Sequence, residues 1–319
     1  MYKRIWSVLL CMALLFACLP TTAMADIGPK PSVEIQFTGV EEGVTYYATL
    51  LSYYESTGPA SAWDGDPLSS KETNPIWKAF VNYEDSDGYY FLQEYWDCTE
   101  KDQFRWGYYP PTPFKVLCYF PETDTFAVSD IYERYAFDTY YEIDLSDVMK
   151  EIAEGAETGR DQDMPILKAK KNYDYTWQLI SLVARIVITI LLEMGLALLF
   201  GYRHKNQLRF LAIVNVVTQI ILNVLLNMFN YRYGHWSFVF YYVLLELLVL
   251  AIEAILYALV LPKVSQTIAK AAIEAAEPGK KVSVPKTIQK RHAVIYAAVA
   301  NVASFAIGLL LARMIPGIF

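Results

Sequence analysis

Four apolar runs, at about 177–201, 208–229, 236–262 and 292–312, dominate residues 175–319. Each is long enough to cross a hydrocarbon core of about 30 Å at about 1.5 Å per residue. Backbone groups in such a core find no water, so the runs must close their own hydrogen bonds as helices. A bundle of four transmembrane helices is the simplest reading of this half.

The charge pattern divides the chain at the same place. Residues 26–174 carry 29 acids and 12 bases, a net of −17, whereas residues 175–319 carry 5 acids and 13 bases, a net of +8. A single soluble domain is excluded, as are a disordered chain and a coiled coil. Nucleic-acid binding is disfavoured as well, because the water-soluble half would repel phosphate.

The start reads as an export signal. Lys3 and Arg4 precede an apolar stretch from Ile5 to Leu19, and Ala23-Met24-Ala25 supplies a small-x-small cleavage pattern. Residues 1–25 are thus expected to be a signal peptide. A lipoprotein start at Cys18 and an uncleaved anchor stay open, and all three export the domain that follows. Basic residues agree with that orientation. The loops 202–209 and 263–291 hold ten Lys and Arg residues, against Arg232 and Arg313 on the other side. Those two loops are therefore expected in the cytoplasm and residues 26–174 outside it.

Residues 26–150 alternate strand-like runs with turn chemistry. The runs are Ser32–Phe37, Thr45–Leu51, Tyr89–Asp97, Phe104–Tyr109, Phe114–Phe120, Thr125–Val128 and Thr139–Leu145. About seven short strands predict an antiparallel, immunoglobulin-like β-sandwich. One helix is predicted inside it, with Asn74 as cap, Pro75 in the first turn, and Ile76, Trp77, Phe80 and Tyr83 on one face. Residues 151–174 are charged and read as a stalk. The fold class is therefore α+β, a multi-domain membrane protein with an extracytoplasmic β-sandwich ahead of a four-helix bundle.

Two features of the outer domain admit more than one reading. Cys98 and Cys118 either form a disulfide in an oxidising compartment or stay as buried thiols. The acidic turns Asp64-Gly65-Asp66 and Glu84-Asp85-Ser86-Asp87-Gly88 cluster carboxylates, but neither completes an EF-hand loop. Adjacent tyrosines such as Tyr46-Tyr47, Tyr53-Tyr54 and Tyr108-Tyr109 must point to opposite faces of a strand. Part of that aromatic surface is thus available to an extracellular ligand, while the rest fills the core.

The chemistry-bearing residues of the membrane half are polar ones within the spans. The first run carries Arg185, Thr189 and Glu193 at helical spacing. The second carries Asn215, Gln219, Asn223 and Asn227, and the third Glu246 and Glu253. Ionisable groups in lipid cost at least about 2.5 kcal/mol each, so they should face the bundle interior. Depth counting places Arg185 and Glu246 about 12–15 Å below the outer edge, and Glu193 and Glu253 about 24–25 Å below it. Two layers follow: Arg185 paired with Glu246 near Gln219 and Asn223, and Glu193 with Glu253 and Asn215. Two carboxylates in one dry layer do not both ionise, so one should hold a proton or share a cation. The same groups also serve as interhelical glue. No catalytic residue, cofactor motif or metal motif emerges, and His204, His235 and His292 all fall at span ends.

Several stretches are distinctive together: Asp26-Ile27-Gly28-Pro29-Lys30-Pro31-Ser32, Tyr46-Tyr47-Ala48-Thr49-Leu50-Leu51-Ser52, Ser56-Thr57-Gly58-Pro59 and the run from Asp130 to Asp138. With Glu193, Asn215, Thr218-Gln219, Asn223, Glu246 and Glu253 they resemble a family of uncharacterised membrane proteins of clostridial-type Gram-positive bacteria. That resemblance covers most of the chain after the signal segment. It implies a bacterial plasma membrane with the β domain outward, and it carries no activity. The function expected is a binding or sensing module coupled to the membrane bundle. The alternative is a small ion, proton or solute transporter. The expected partners are the bilayer, an extracellular ligand, and a second copy or another membrane protein, since four spans are few for a transporter.

Overall fold

A computed structural model of the chain describes residues 29–66, 74–154, 165–275 and 286–314. The expected signal segment lies outside the described residues, as do 155–164 of the expected stalk. The first part of the described chain is rich in strands. It runs β1 (Ser32–Thr38), β2 (Tyr47–Ser52), α1 (Pro75–Val81), β3 (Tyr90–Phe91), β4 (Trp96–Asp97), β5 (Gln103–Trp106) and β6 (Phe114–Phe120). It continues through β7 (Thr125–Val128), β8 (Asp138–Asp144), α2 (Ser146–Ala153) and β9 (Ala169–Lys171).

Two sheets form, in the orders β5-β1-β8-β9 and β3-β2-β6-β7, with β4 also pairing β2. The core between them draws alternate residues from each strand, including Val33, Ile35 and Phe37 of β1 and Tyr141 and Ile143 of β8. Burying each such side chain stabilises the fold by roughly 1.5–3 kcal/mol. Strand β6 is buried at every position. Its other face packs Leu117 and Tyr119 against Trp77 and Phe80 of α1, making a third layer. The Asn74 side chain accepts hydrogen bonds from the Ile76 and Trp77 amides, which fixes the start of α1.

Three expectations for this part need correction. The β-rich region is not wholly antiparallel, because β1 pairs in parallel with β8 while pairing antiparallel with β5. A parallel pair needs a long crossover, and the intervening chain supplies one by building the second sheet. The expected single strand at 89–97 splits into β3 and β4, with Gln93 at φ 63° between them. The stalk is partly sheet: Ala169–Lys171 pairs antiparallel with β8, and Leu167 is buried.

Four helices follow: α3 (Thr176–Leu199), α4 (Lys205–Tyr233), α5 (His235–Glu274) and α6 (Lys290–Met314). All four are long and apolar enough to cross a membrane. They pack as a closed ring, each against the next and α6 back against α3. Leu191, Ile221, Phe240 and Leu310 point outward, exposed. The polar side chains point inward, reversing the order of a water-soluble bundle.

Helix α5 runs twelve residues past its expected end at 262, so part of the expected 263–291 loop is helix. Pro262 sits inside it and lacks the N–H for one helical bond. One turn on, Ser265 donates to the Pro262 carbonyl and accepts from the Ile288 amide that leads into α6.

The β domain meets the bundle at the turn between α4 and α5. The Phe137 amide donates to the Tyr231 carbonyl at 2.8 Å. The rings of Tyr135 and Tyr173 lie 6.3 and 5.2 Å from that of Tyr231. Gly234 makes the whole turn at φ 79°, ψ 178°, a region open essentially to glycine alone.

Candidate functional site

The site is the polar centre of the bundle, to which all four helices contribute. Glu193 of α3 and Glu253 of α5 are both 0% exposed. Asn215, Thr218, Gln219 and Asn223 line the inner face of α4, and Asn301 and Ser304 that of α6, all buried. Helical spacing of three to four residues puts each set on one face.

Glu253 is well held. One carboxylate oxygen accepts from the Thr218 hydroxyl at 2.6 Å and the other from the Asn301 amide at 2.7 Å. The Tyr257 hydroxyl approaches the same carboxyl group. Tyr257 in turn accepts from the Asn215 amide at 3.2 Å. Glu193 is held only through its backbone, whose carbonyl accepts from the Tyr296 hydroxyl at 3.0 Å. Asn215 and Ser304 approach its carboxyl group, yet neither oxygen gains a hydrogen bond of good geometry. Tyr202, Tyr257 and Tyr296 close the end away from the β domain, their rings 5.0–5.7 Å apart in neighbouring pairs.

The residues singled out from sequence fall into two groups. Glu193, Glu253 and Asn215 come together in the centre just described. Arg185 and Glu246 lie nearer the β domain and are half-buried. Tyr242 stands with them, its ring centroid 6.0 Å from the Arg185 guanidinium carbon and its hydroxyl bonded to Glu246. Gln219 and Asn223 bond chiefly to each other, the Asn223 amide donating to the Gln219 carbonyl at 2.8 Å. A cleft of ≈ 220 Å³ between α5 and α6 has Glu246, Leu250, Asn301 and Phe305 in its walls.

Sequence reasoning missed Asn301, Tyr257 and Tyr296. Asn301 was visible as the one amide inside the fourth apolar run. Tyrosines are too common in this chain to stand out.

In the β domain the other candidates resolve differently. Cys98 and Cys118 are unbridged buried thiols, so the disulfide alternative is not realised. Burial pushes the Cys98 thiol up to about 12 and raises Cys118 as well, leaving both unreactive. The second acidic turn serves a lysine: Lys115 is 4% exposed and bonds both oxygens of Asp85 at 2.9 and 3.0 Å, with Asp87 beside it. Burial alone would lower the Lys115 ammonium, but the hydrogen bonds to Asp87 and Asp85 outweigh it and hold the group above its ordinary value. Among the described residues no group of three or more His, Cys, Asp and Glu side chains is arranged to hold a metal.

Four membrane-spanning helices with a polar interior, joined to a β-rich domain, define a multi-pass membrane protein. No protein-family description, curated protein or solved structure matches the chain.

Proposed function

We propose that the chain is a membrane-embedded sensing module, in which an outward-facing β domain binds a ligand and reports it to the bundle. The observation that carries this is the splice at the α4–α5 turn. A main-chain hydrogen bond from Phe137, the residue that leads into β8, to Tyr231 joins the β domain to α4, the helix bearing the amide stripe. A flexible tether would suffice for anchoring alone, so a bonded contact supports transmission. The basic loops and the export signal support an outward β domain in a bacterial plasma membrane. Two facing sheets support reading that domain as an immunoglobulin-like ligand carrier.

The binding face we assign is a cleft of ≈ 350 Å³ walled by Trp63, Tyr83, Glu84, Tyr90 and Phe91. Tyr53 and Tyr54, 56% and 58% exposed, extend its aromatic rim. Rings with an acid among them suit a ligand with a cationic head. The test is hydrogen exchange on the full chain in lipid nanodiscs, with tetramethylammonium as probe. The expected result is protection near Tyr90 together with altered exchange at the Tyr231 end of α4. Tyr90→Ala should remove both effects, and protection at Tyr90 with α4 unchanged would sink the sensing assignment.

A second reading, ion or proton transport, is favoured by the convergence of Glu193 and Glu253 at the bundle centre. Flux in proteoliposomes that survives Glu193→Gln and Glu253→Gln would remove it.

A further inference from the structure

Hydrogen-bond accounting in the bundle centre leaves a one-sided remainder. The donors of Asn215, Thr218, Tyr296, Asn301 and Ser304 are spent. The Asn215 amide hydrogens go to the Leu211 carbonyl and the Tyr257 hydroxyl, and those of Asn301 go to Glu253 and the Ala297 carbonyl. The hydroxyls of Thr218, Tyr296 and Ser304 donate to Glu253, the Glu193 carbonyl and the Asn301 carbonyl. What remains is four buried oxygens: both of Glu193, Oδ1 of Asn215 and Oδ1 of Asn301. Turning the Asn301 amide over does not help, because its oxygen would then face the Glu253 carboxylate and the Ala297 carbonyl.

A surplus of acceptors without a matching donor calls for positive charge. Glu253 has the Thr218 hydroxyl and the Asn301 amide as donors, one to each oxygen. Glu193 has none, and Arg185 lies two turns up the same helix, about 12 Å away. Ionised, Glu193 leaves one unit of charge unmatched as well as two oxygens unbonded. A water molecule would bond the oxygens and leave the charge. A proton would cancel the charge and satisfy one oxygen pair at most. A single monovalent cation does both, and an all-oxygen donor set suits a hard ion.

We propose that Glu193, with the side-chain oxygens of Asn215 and Asn301 beside Glu253, binds one alkali cation in the dry centre of the bundle. The α5–α6 cleft is its access route. Residues Glu246 and Asn301 are both in its walls, and the Asn301 amide holds Glu253. Neutral amide oxygens and one uncompensated carboxylate match a singly charged ion, since a Mg²⁺ would have to shed its waters in a dry site. This inference stands whether or not the ion crosses the membrane, and whether or not the β domain senses a ligand.

The experiment is equilibrium dialysis of radiolabelled Na⁺ against the full chain in nanodiscs, with choline chloride holding ionic strength constant. Saturable binding of one Na⁺ per chain is expected, displaced by unlabelled Li⁺ or K⁺ and matched by a higher unfolding temperature in NaCl than in choline chloride. Glu193→Gln should abolish both signals, and Asn301→Ala should weaken binding by roughly tenfold or more. No saturable alkali binding to the folded wild-type chain would overturn the proposal and leave the charge to a proton. Saturation by Ca²⁺ or Mg²⁺ in place of alkali ions would overturn it too, as would Na⁺ affinity unchanged in Glu193→Gln. If Glu193→Gln does not fold, unchanged affinity in both Asn215→Ala and Asn301→Ala overturns the placement.

Discussion

Gly234→Ala should loosen the β domain from the bundle. A methyl group at Gly234 would meet three ring carbons of Phe137 at 2.7–2.9 Å. Carbon atoms sit comfortably at about 3.5–4.0 Å, so the ring must retreat by about 1 Å. The Phe137 amide bond to Tyr231, now 2.8 Å, would stretch beyond hydrogen-bonding range if the backbone followed the ring. Losing that bond costs about 1 kcal/mol. The backbone at φ 79°, ψ 178° adds about 1–3 kcal/mol for any residue with a Cβ. Gly43 is the control: its φ is 92° and nothing lies within 4 Å of an added Cβ. Gly43→Ala should therefore show backbone strain without displacing anything. The assay is hydrogen exchange at the Phe137 amide in nanodiscs, alongside thermal unfolding. Exchange should accelerate in Gly234→Ala, stay unchanged in Gly43→Ala, and partly recover in Gly234→Ala with Phe137→Ala. Equal protection of Phe137 in all four chains would refute the argument that this turn bears the junction.

Three other outcomes follow from the β domain. Asn74→Ala should lower its stability by about 1 kcal/mol by uncapping α1, read by thermal denaturation, with Asn74→Ser costing much less. Lys115→Ala should cost roughly 3–5 kcal/mol because it strands the buried Asp85. The Lys115 value is raised on folding, so its contribution is whole below the ordinary lysine value of 10.5 and is lost as pH rises through the folded value. An alkaline stability titration of Lys115→Met should lack that loss, and identical slopes for the two chains would contradict the pairing. Cys98 and Cys118 should resist a thiol reagent in the native protein and react once it unfolds. A mobility shift on reduction would show a bridge instead.

Much of this architecture was legible in local chemistry. Asn74-Pro75 announced α1 because a cap and a fixed φ act within one turn, whatever surrounds them. The four apolar runs announced helices because lipid leaves the backbone no other partner. Their inward Glu and Asn residues were legible for the same reason. The continuation of α5 through Pro262 was not, since a proline inside a periodic run ordinarily marks a helix boundary. Strand β9 was hidden too, because Ala169-Lys170-Lys171 has no strand pattern of its own and takes its conformation from the edge of β8.

Taken alone, the sequence determined which segments can cross a membrane, which ends carry positive charge, and which helix faces are polar. These depend on composition and period, and both are carried by contiguous residues. Only the tertiary structure decided that both oxygens of Glu253 take hydrogen bonds while those of Glu193 take none, and that Asn301 joins them. Those outcomes turn on angstrom-scale donor geometry among four helices, where the same residue types could have shared the donors otherwise.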